Sequence, residues 1–213
     1  LILSEMGSDQ DQWMLHHTSR LSDDIIVTKS QYDDFSIPCP WRNFEIIVDN
    51  RALYVNPGWM AELSTFFQEA CYGGRENEPV VIEDVKYEEM LDFLRCITFC
   101  PQRKSITVQN VSHVMKLASK FDMRPVMARC EQYVARTAPT LDRHRLFQVT
   151  CAMSHCDPNS STMSLLVDRL AGMKEDELNE MQFHQMPGDV VAEVYSHKMK
   201  RRTDRRKKFC CVM

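Results

Sequence analysis

Cysteine is the residue type in this sequence with the broadest chemistry, because thiolates bind metals, form disulfides and attack electrophiles. The 213 residues include nine cysteines. An odd number, scattered along a chain without a visible export signal, predicts reduced thiols that pack as small apolar side chains. The spacing nearest to a metal site is Cys151, His155 and Cys156, with Cys96 and Cys100 as a second pair. Neither group has the CxxC pair of a structural zinc site, so we predict no metal and no other cofactor.

Catalytic motifs are the next kind of pattern to consider. The sequence contains no GxSxG, HExxH, GxxxxGK[ST] or GxGxxG motif, and the pair Gly73 and Gly74 is typical of a turn. Without a recognisable set of nucleophile, base and orienting group, we assign no catalytic residues. The sequence therefore favours a protein that acts by binding other molecules.

The end of the sequence combines a cysteine motif with basic charge. The last four residues, CCVM, fit the C-a-a-X pattern, which predicts a prenyl group on Cys210. Residues 198–213 hold eight Lys or Arg and one Asp, a net charge of +7, which leaves −11 for the rest of a chain whose net charge is −4. Basic charge and one lipid together favour the cytoplasmic face of a membrane. The same residues could instead form a nuclear localisation signal or a solvated tail.

Composition limits the elements that could position these groups. The chain is 44% apolar and 26% charged, has no apolar stretch of about 18 residues and becomes acidic early at its N-terminus. These properties predict an intracellular protein with one core and a helical appendage. No basic stripe runs along the predicted folded part, so we expect no nucleic-acid partner.

The first half alternates between strand and helix patterns. Two apolar runs, FEIIV at 44–48 and ALYV at 52–55, flank Asp49 and Asn50, and this arrangement predicts a β-hairpin. Apolar residues recur every three or four positions from Trp59 to Phe67, as on one face of a helix. The run VVIEDV at 80–85 then predicts a third strand.

Helices account for most of the remaining sequence. Residues 87–99 have a helical apolar face, Thr107 is a candidate N-cap for the next helix, and Pro125 is suited to the first turn of another that reaches about Tyr133. From 137 to about 198 the sequence is helical in character, with a break at the DPNS segment of 157–160. The predicted class is α+β: a short β-sheet capped by helices, followed by a small all-helical extension.

One segment carries a family resemblance. The stretch VMKLASKFDMRPVMARCEQYV, residues 114–134, resembles the BTB/POZ domain, in which one helix ends in L-A-x-x-[YF]-x-[ML] and the next carries C-E-x-[YF]-[LV]. The hairpin, the WMAELSTFF segment and the strand and helix of 80–97 resemble the remaining elements of that fold in the same order. The later helices are similar to the extension that follows this domain in adaptor proteins. We therefore divide the chain as follows: an N-terminal extension at 1–34, a BTB/POZ-like domain at 35–138, a helical extension at 139–197 and a basic tail at 198–213.

The resemblance implies a function in protein–protein interaction. A BTB/POZ protein is expected to form a homodimer and, as a substrate adaptor, to bind the cullin scaffold of a cullin-RING ubiquitin ligase and recruit a target protein whose identity the sequence does not give. The candidate partner-binding residues are Phe66, Phe67, Tyr72 and Glu76, where Glu76 occupies the loop in which cullin-binding members carry a glutamate motif. The phenylalanine pair could offer one ring to a partner, or both rings could be buried. The alternative is a prenylated or nuclear scaffold with no ubiquitin role, and the protein is expected in the cytoplasm or nucleus.

Overall fold

A tight β-hairpin is the first pair of strands in the described part of the chain. The computed structural model describes residues 34–74, 78–100 and 103–210, with only the backbone for 204–210. Strands β1 (Phe44–Val48) and β2 (Arg51–Val55) pair antiparallel, and Val48 lies opposite Arg51. Between them, Asp49 and Asn50 have φ angles of 50° and 57°. This left-handed backbone at both central residues is what a two-residue hairpin turn requires, and it confirms the predicted hairpin.

The third strand completes a small mixed sheet. Strand β3 (Val80–Ile82) pairs parallel with β1, so the strand order is β2-β1-β3 within the described part of the chain. This strand stops sooner than the predicted run of 80–85. Asp84 has a φ of 61°, which interrupts extended backbone and turns the chain toward the next helix.

The predicted helix around Trp59 to Phe67 is two helices. Helix α1 spans Pro57–Leu63 and α2 spans Thr65–Tyr72, and Ser64 between them has extended backbone. The Ser64 hydroxyl accepts a hydrogen bond from Phe67 N at 3.1 Å and donates one to Phe121 O at 2.5 Å. Ser64 therefore caps α2 and ties it to the later helices, which an apolar periodicity that runs through the break does not reveal.

Three further helices complete the first half: α3 (Tyr87–Ile97), α4 (Val111–Lys120) and α5 (Arg124–Thr137). Asn110, not Thr107, is the N-cap of α4. The buried Asn110 side chain accepts from Thr107 N at 2.7 Å and donates to Ser105 O at 3.1 Å, so it organises the preceding loop. Pro125 lies in the first turn of α5, as predicted.

The rest of the described chain is helical. It contains α6 (Arg143–Cys156), α7 (Ser161–Gly172), α8 (Glu175–Glu180) and α9 (Gly188–Cys210), with short 3-10 helices at Ala138–Thr140 and Phe183–Gln185. The break predicted at 157–160 is present, and the Ser160 hydroxyl caps α7 by accepting from Met163 N at 3.1 Å. Helix α9 runs without interruption across residue 198, where the basic segment begins.

One hydrophobic core joins the two halves. Helix α6 packs against α4 and α7 packs against α5, so the extension covers faces of the first half that would otherwise meet water. The largest fully buried side chains come from both halves: Ile46, Leu53, Phe67, Met90, Phe93, Leu94, Met115, Phe121, Met123, Leu146, Met153 and Met163. No helix among the described residues has both the length and the apolar character to cross a membrane.

Candidate partner-binding surfaces

The two phenylalanines of α2 have different positions. Phe67 is fully buried, whereas Phe66 is 44% exposed. The Phe66 ring packs edge-on against Phe67 with 5.0 Å between centroids and lies 5.5 Å from the ring of Phe121. One face of Phe66 is therefore held by two rings while the other meets solvent, which is how a partner-binding aromatic is presented.

A groove runs beside Phe66 toward the edge of the sheet. We call it the α2–β3 groove; it measures about 620 Å³. Its apolar part comes from Phe66, Ala70 and the exposed Val81 on the edge strand β3. The other lining residues are Thr65, Glu69, Glu78, Pro79 and Val80. Glu76, predicted to contact a partner in the same loop, lies outside the described residues.

Glycine shapes the start of that loop. Tyr72, predicted to bind a partner, is the last residue of α2 and is exposed. At Gly73 a Cβ atom would lie 2.4 Å from the Glu69 carbonyl oxygen, so a side chain does not fit there. Gly74 follows with a φ of 95°, a conformation that other residues rarely adopt. The turn from α2 into the loop therefore depends on both glycines.

An aromatic groove that the sequence did not indicate lies on a different part of the surface. Trp41, Trp59 and Phe99 line it together with Arg42, Asn56, Gly58, Glu62 and Thr98, and its volume is about 520 Å³. The Trp59 ring lies 5.1 Å from that of Phe99, and its Nε1 donates to Ile97 O at 2.8 Å. Trp41 is 65% exposed and Phe99 77% exposed, so two large rings in this groove face solvent.

The thiols are arranged as core residues. Burial raises the pKa of Cys130 to about 12 and those of Cys96 and Cys71 to about 11. These three are therefore protonated at neutral pH and inert as nucleophiles. In the candidate trio, His155 Nδ1 lies 2.6 Å from the backbone oxygen of Cys151. Among the residues with described positions, no three His, Cys, Asp or Glu side chains are grouped as a metal would need.

A shallow groove marks the junction of the two halves. Helices α4 and α5 form one side, and Cys156 and Asp157 at the end of α6 form the other. Burial raises the pKa of Glu131 in this groove, and the nearby Asp157 raises it further. Burial likewise raises the pKa of Cys156. The lining of this groove is therefore acidic, and Arg124 is its one basic residue among those described.

The start of the basic segment is attached to the body. Lys198 Nζ donates to Met173 O at 2.7 Å and to Glu175 at 3.0 Å. Asp168 accepts from His197 at 2.8 Å and lies 3.5 Å from Arg201. Two of the predicted tail's basic residues are thus used in internal contacts. Cys210 is the last residue of α9, and its side chain is outside the described part.

Comparison with known proteins identifies the class of this fold. The BTB/POZ domain model matches residues 42–138. The chain belongs to the BTB/POZ family, whose domain is a non-enzymatic fold that mediates self-association and partner binding. The resemblance drawn from residues 114–134 is thereby confirmed, and so is the α+β class with its helical C-terminal region.

Individual relatives give further detail. Cytokinesis defective protein 7 of Caenorhabditis elegans is 54% identical over 193 residues, which cover 87% of this chain and 72% of that protein. BTB and MATH domain-containing protein 38 of the same organism is 29% identical over 104 residues, or 47% of this chain and 26% of that protein. The solved BTB domain of human Gigaxonin aligns with 62% of this chain and 99% of its own, with 15% identity and a TM-score of 0.39.

Proposed function

We propose that this chain is a self-associating, non-enzymatic adaptor that recruits a target protein to a cullin-RING ubiquitin ligase. The observation that carries the proposal is the α2–β3 groove in a BTB/POZ domain, with the half-exposed Phe66 at its centre. The groove ends at the loop in which the family resemblance places Glu76. A partner helix that covers Phe66 and Val81 would bury apolar surface on a support already fixed by Phe67 and Phe121.

The adaptor would act by proximity. A ubiquitin-loaded enzyme held on the cullin and a target held on this chain meet at a high effective concentration, so the chemistry needs no catalytic group here. The buried, protonated thiols of Cys96 and Cys130 agree with this division of labour.

The cullin contact is tested with the purified chain immobilised beside a known BTB adaptor and exposed to purified cullin. We expect the wild-type chain to retain the cullin and Phe66→Asp to lose at least about tenfold in affinity, which corresponds to about 1.4 kcal/mol. Leu165→Asp is the matched control, because Leu165 on α7 is 49% exposed against 44% for Phe66. Retention by the known adaptor and none by this chain would remove the cullin proposal.

Self-association is assigned to the aromatic groove. Trp41 and Phe99 are large and exposed, Phe99 packs against Trp59, and a twofold pair would cover the same patch on both copies. Light scattering at micromolar concentration should give twice the monomer mass of 24.9 kDa. Combining Trp41→Ser with Phe99→Ser should return the monomer, and a wild-type chain found only at 24.9 kDa would contradict the assignment.

The second candidate is a membrane-tethered or nuclear scaffold without a ubiquitin role. It is favoured by helix α9, which continues from the core into the basic segment that precedes Cys210. Cell fractionation of the wild-type chain beside Cys210→Ser tests lipid anchoring. A shift of Cys210→Ser from the membrane to the soluble fraction supports the tether, and an unchanged distribution rejects it.

The similarity to Cytokinesis defective protein 7 suggests the process in which either activity operates. We place this chain in cell division, where a dimeric adaptor or scaffold would concentrate its partners at one site. Depletion in dividing cells should raise the fraction of multinucleate cells, and re-expression should restore it. Normal cell division after complete depletion would contradict a role for this chain in cytokinesis.

A further inference from the structure

A pocket at one end of the sheet brings two tyrosines and two glutamates together. It lies where β1 begins and β2 ends, beside the last turn of α2, and measures about 410 Å³. Glu45 and Glu78 provide its carboxylates and Tyr54 and Tyr72 its phenol groups, and the remaining lining residues are Asn43, Phe44, Pro57, Cys71 and Pro79. None of these lining residues is basic.

Two of the four groups are fixed by strand pairing. Glu45 on β1 lies directly opposite Tyr54 on β2. The Tyr54 N–H donates to Phe35 O at 2.7 Å rather than across to β1. Glu45 and Tyr54 therefore form a non-hydrogen-bonded pair, the kind whose side chains lie closest together on a sheet. Both are half-buried and lie on the face of the hairpin opposite the buried Phe44, Ile46 and Leu53.

Among the described residues, no side-chain hydrogen bond, ion pair or ring contact joins Glu45, Tyr54, Tyr72 or Glu78 to another described group. The half-buried Asp92, by contrast, is paired with Lys104 and His113. No described residue that lines the pocket is basic, so its two acids and two tyrosine rings form an arrangement complementary to a cation.

We propose that this pocket, the Tyr54–Tyr72 pocket, binds an arginine side chain of a partner polypeptide. A guanidinium stacks on a tyrosine ring while its N–H groups donate to carboxylates on either side, and Arg is better suited than Lys because it is planar and offers five donors. The pocket volume is sufficient for one such side chain, and Pro57 and Pro79, which line the pocket, would contact its methylene stem. The site gives the adaptor a recognition element for its target, and in that role it rests on the proposed function.

The experiment titrates the 213-residue chain with three small probes: N-acetyl-arginine amide, N-acetyl-lysine amide and N-acetyl-citrulline amide. Citrulline has the shape of arginine without its charge. Amide resonances of residues 45, 54 and 72 in ¹H–¹⁵N spectra report binding at the pocket. We expect saturable shifts with the arginine probe, with a Kd on the order of 1 mM, weaker binding of the lysine probe and at least about tenfold weaker binding of the citrulline probe.

Variants separate this pocket from other acidic surface. Glu45→Gln should weaken the arginine probe several-fold, and Glu45→Gln combined with Glu78→Gln should abolish its binding. Tyr72→Leu should also weaken binding because it removes one ring. Glu193→Gln is the control, because Glu193 is an exposed carboxylate on α9 that does not line the pocket.

Equal affinities for the arginine and citrulline probes would overturn the proposal, as would wild-type affinity in the double glutamine variant. Glu78 and Pro79 line both the pocket and the α2–β3 groove, whereas Glu45 and Tyr54 line only the pocket, so Glu45→Gln is the variant to compare with the cullin experiment. Glu45→Gln should retain cullin as the wild type does, and Phe66→Asp should still bind the arginine probe. A wild-type chain that retains cullin but does not bind the arginine probe would overturn the pocket and leave the cullin proposal standing.

Discussion

The BTB/POZ half and the helical extension differ in what they leave on the surface. Among the described residues, six of the nine exposed large apolar side chains lie before residue 100, and five of those six line the α2–β3 groove, the aromatic groove or the Tyr54–Tyr72 pocket. The extension has only three such side chains among its described residues, and its surface carries ion pairs such as those of Arg143 with Glu177 and Glu180. The first half therefore offers a partner more exposed apolar surface than the extension does.

The largest expected effect concerns the shared core, and it tests whether the first half unfolds together with the extension. Met153 is fully buried in α6, the helix that packs against α4. Met153→Ala should lower the free energy of unfolding by about 3 kcal/mol because it leaves a cavity in the shared core. Denaturant unfolding followed by the fluorescence of Trp41 and Trp59, and by hydrogen exchange in α7, should show one transition.

Met199→Ala on the exposed side of α9 is the control and should change stability by less than about 0.5 kcal/mol. If α7 exchanged at lower denaturant than α3 while the tryptophan signal stayed native, the two halves would be independent domains.

A smaller effect compares one serine cap in each half. Ser64 is buried and uses its hydroxyl in two hydrogen bonds, to Phe67 N and to Phe121 O. Ser160 makes the equivalent pair, from Met163 N at 3.1 Å and to Asp157 O at 3.1 Å, but it is only half-buried. Ser64→Ala should lower the free energy of unfolding by about 2 kcal/mol and Ser160→Ala by about 1 kcal/mol. The difference arises because only Ser64→Ala leaves a carbonyl, that of Phe121, unpaired away from water.

Urea unfolding midpoints at constant m-value measure both serine variants. If Ser160→Ala lowered the free energy of unfolding as much as Ser64→Ala does, burial of the serine would not explain the strength of its cap.

The third comparison concerns two aspartates and pH. Burial alone would raise the pKa of Asp92, but hydrogen bonds from Lys104 and His113 outweigh it and hold the pKa below its usual value. The stabilisation is therefore present above the unfolded value of about 3.9 and is lost as pH falls through the lower folded pKa. Asp92→Asn should lower stability by about 1 kcal/mol at pH 7 and by less as the pH drops below about 4.

Asp168 in the extension provides the contrast. Its side chain is 51% exposed, against 16% for Asp92, although it meets both His197 and Arg201. Asp168→Asn should change stability at pH 7 by about 0.5 kcal/mol or less, because solvent screens exposed pairs. Thermal unfolding of both variants between pH 3 and pH 7 measures the difference, and equal losses would show that burial does not distinguish them.

Local turn chemistry and the family pattern predicted the order of the elements in the first half, but not where each one begins and ends. Asp49 and Asn50 specify the hairpin because few other residues accept left-handed backbone, and Pro125 identifies the first turn of α5. The break at Ser64 was missed because its partner, the Phe121 carbonyl, is 57 residues away. The shift of the α4 cap to Asn110 likewise depends on contacts made by a buried loop.

The sites were less predictable than the fold. Phe66 and Tyr72 are at the surface, as a partner-binding role requires, but the sequence alone could not tell Phe66 from the buried Phe67. The aromatic groove was missed because Trp41 and Phe99 lie outside regular elements and 58 positions apart. The signal for the Tyr54–Tyr72 pocket was present: Glu45 and Tyr54 interrupt apolar strands at outward-facing positions.

Because α9 continues unbroken to Cys210, it sets how far Cys210 lies from the core. Lys198 and Arg201 fix its root, and the twelve residues from Met199 to Cys210 extend about 18 Å at the usual rise per residue. A fluorophore or cargo attached at Cys210 would lie at a set distance and direction from the core. In two copies paired through their first halves, the two Cys210 residues would be held at one fixed separation.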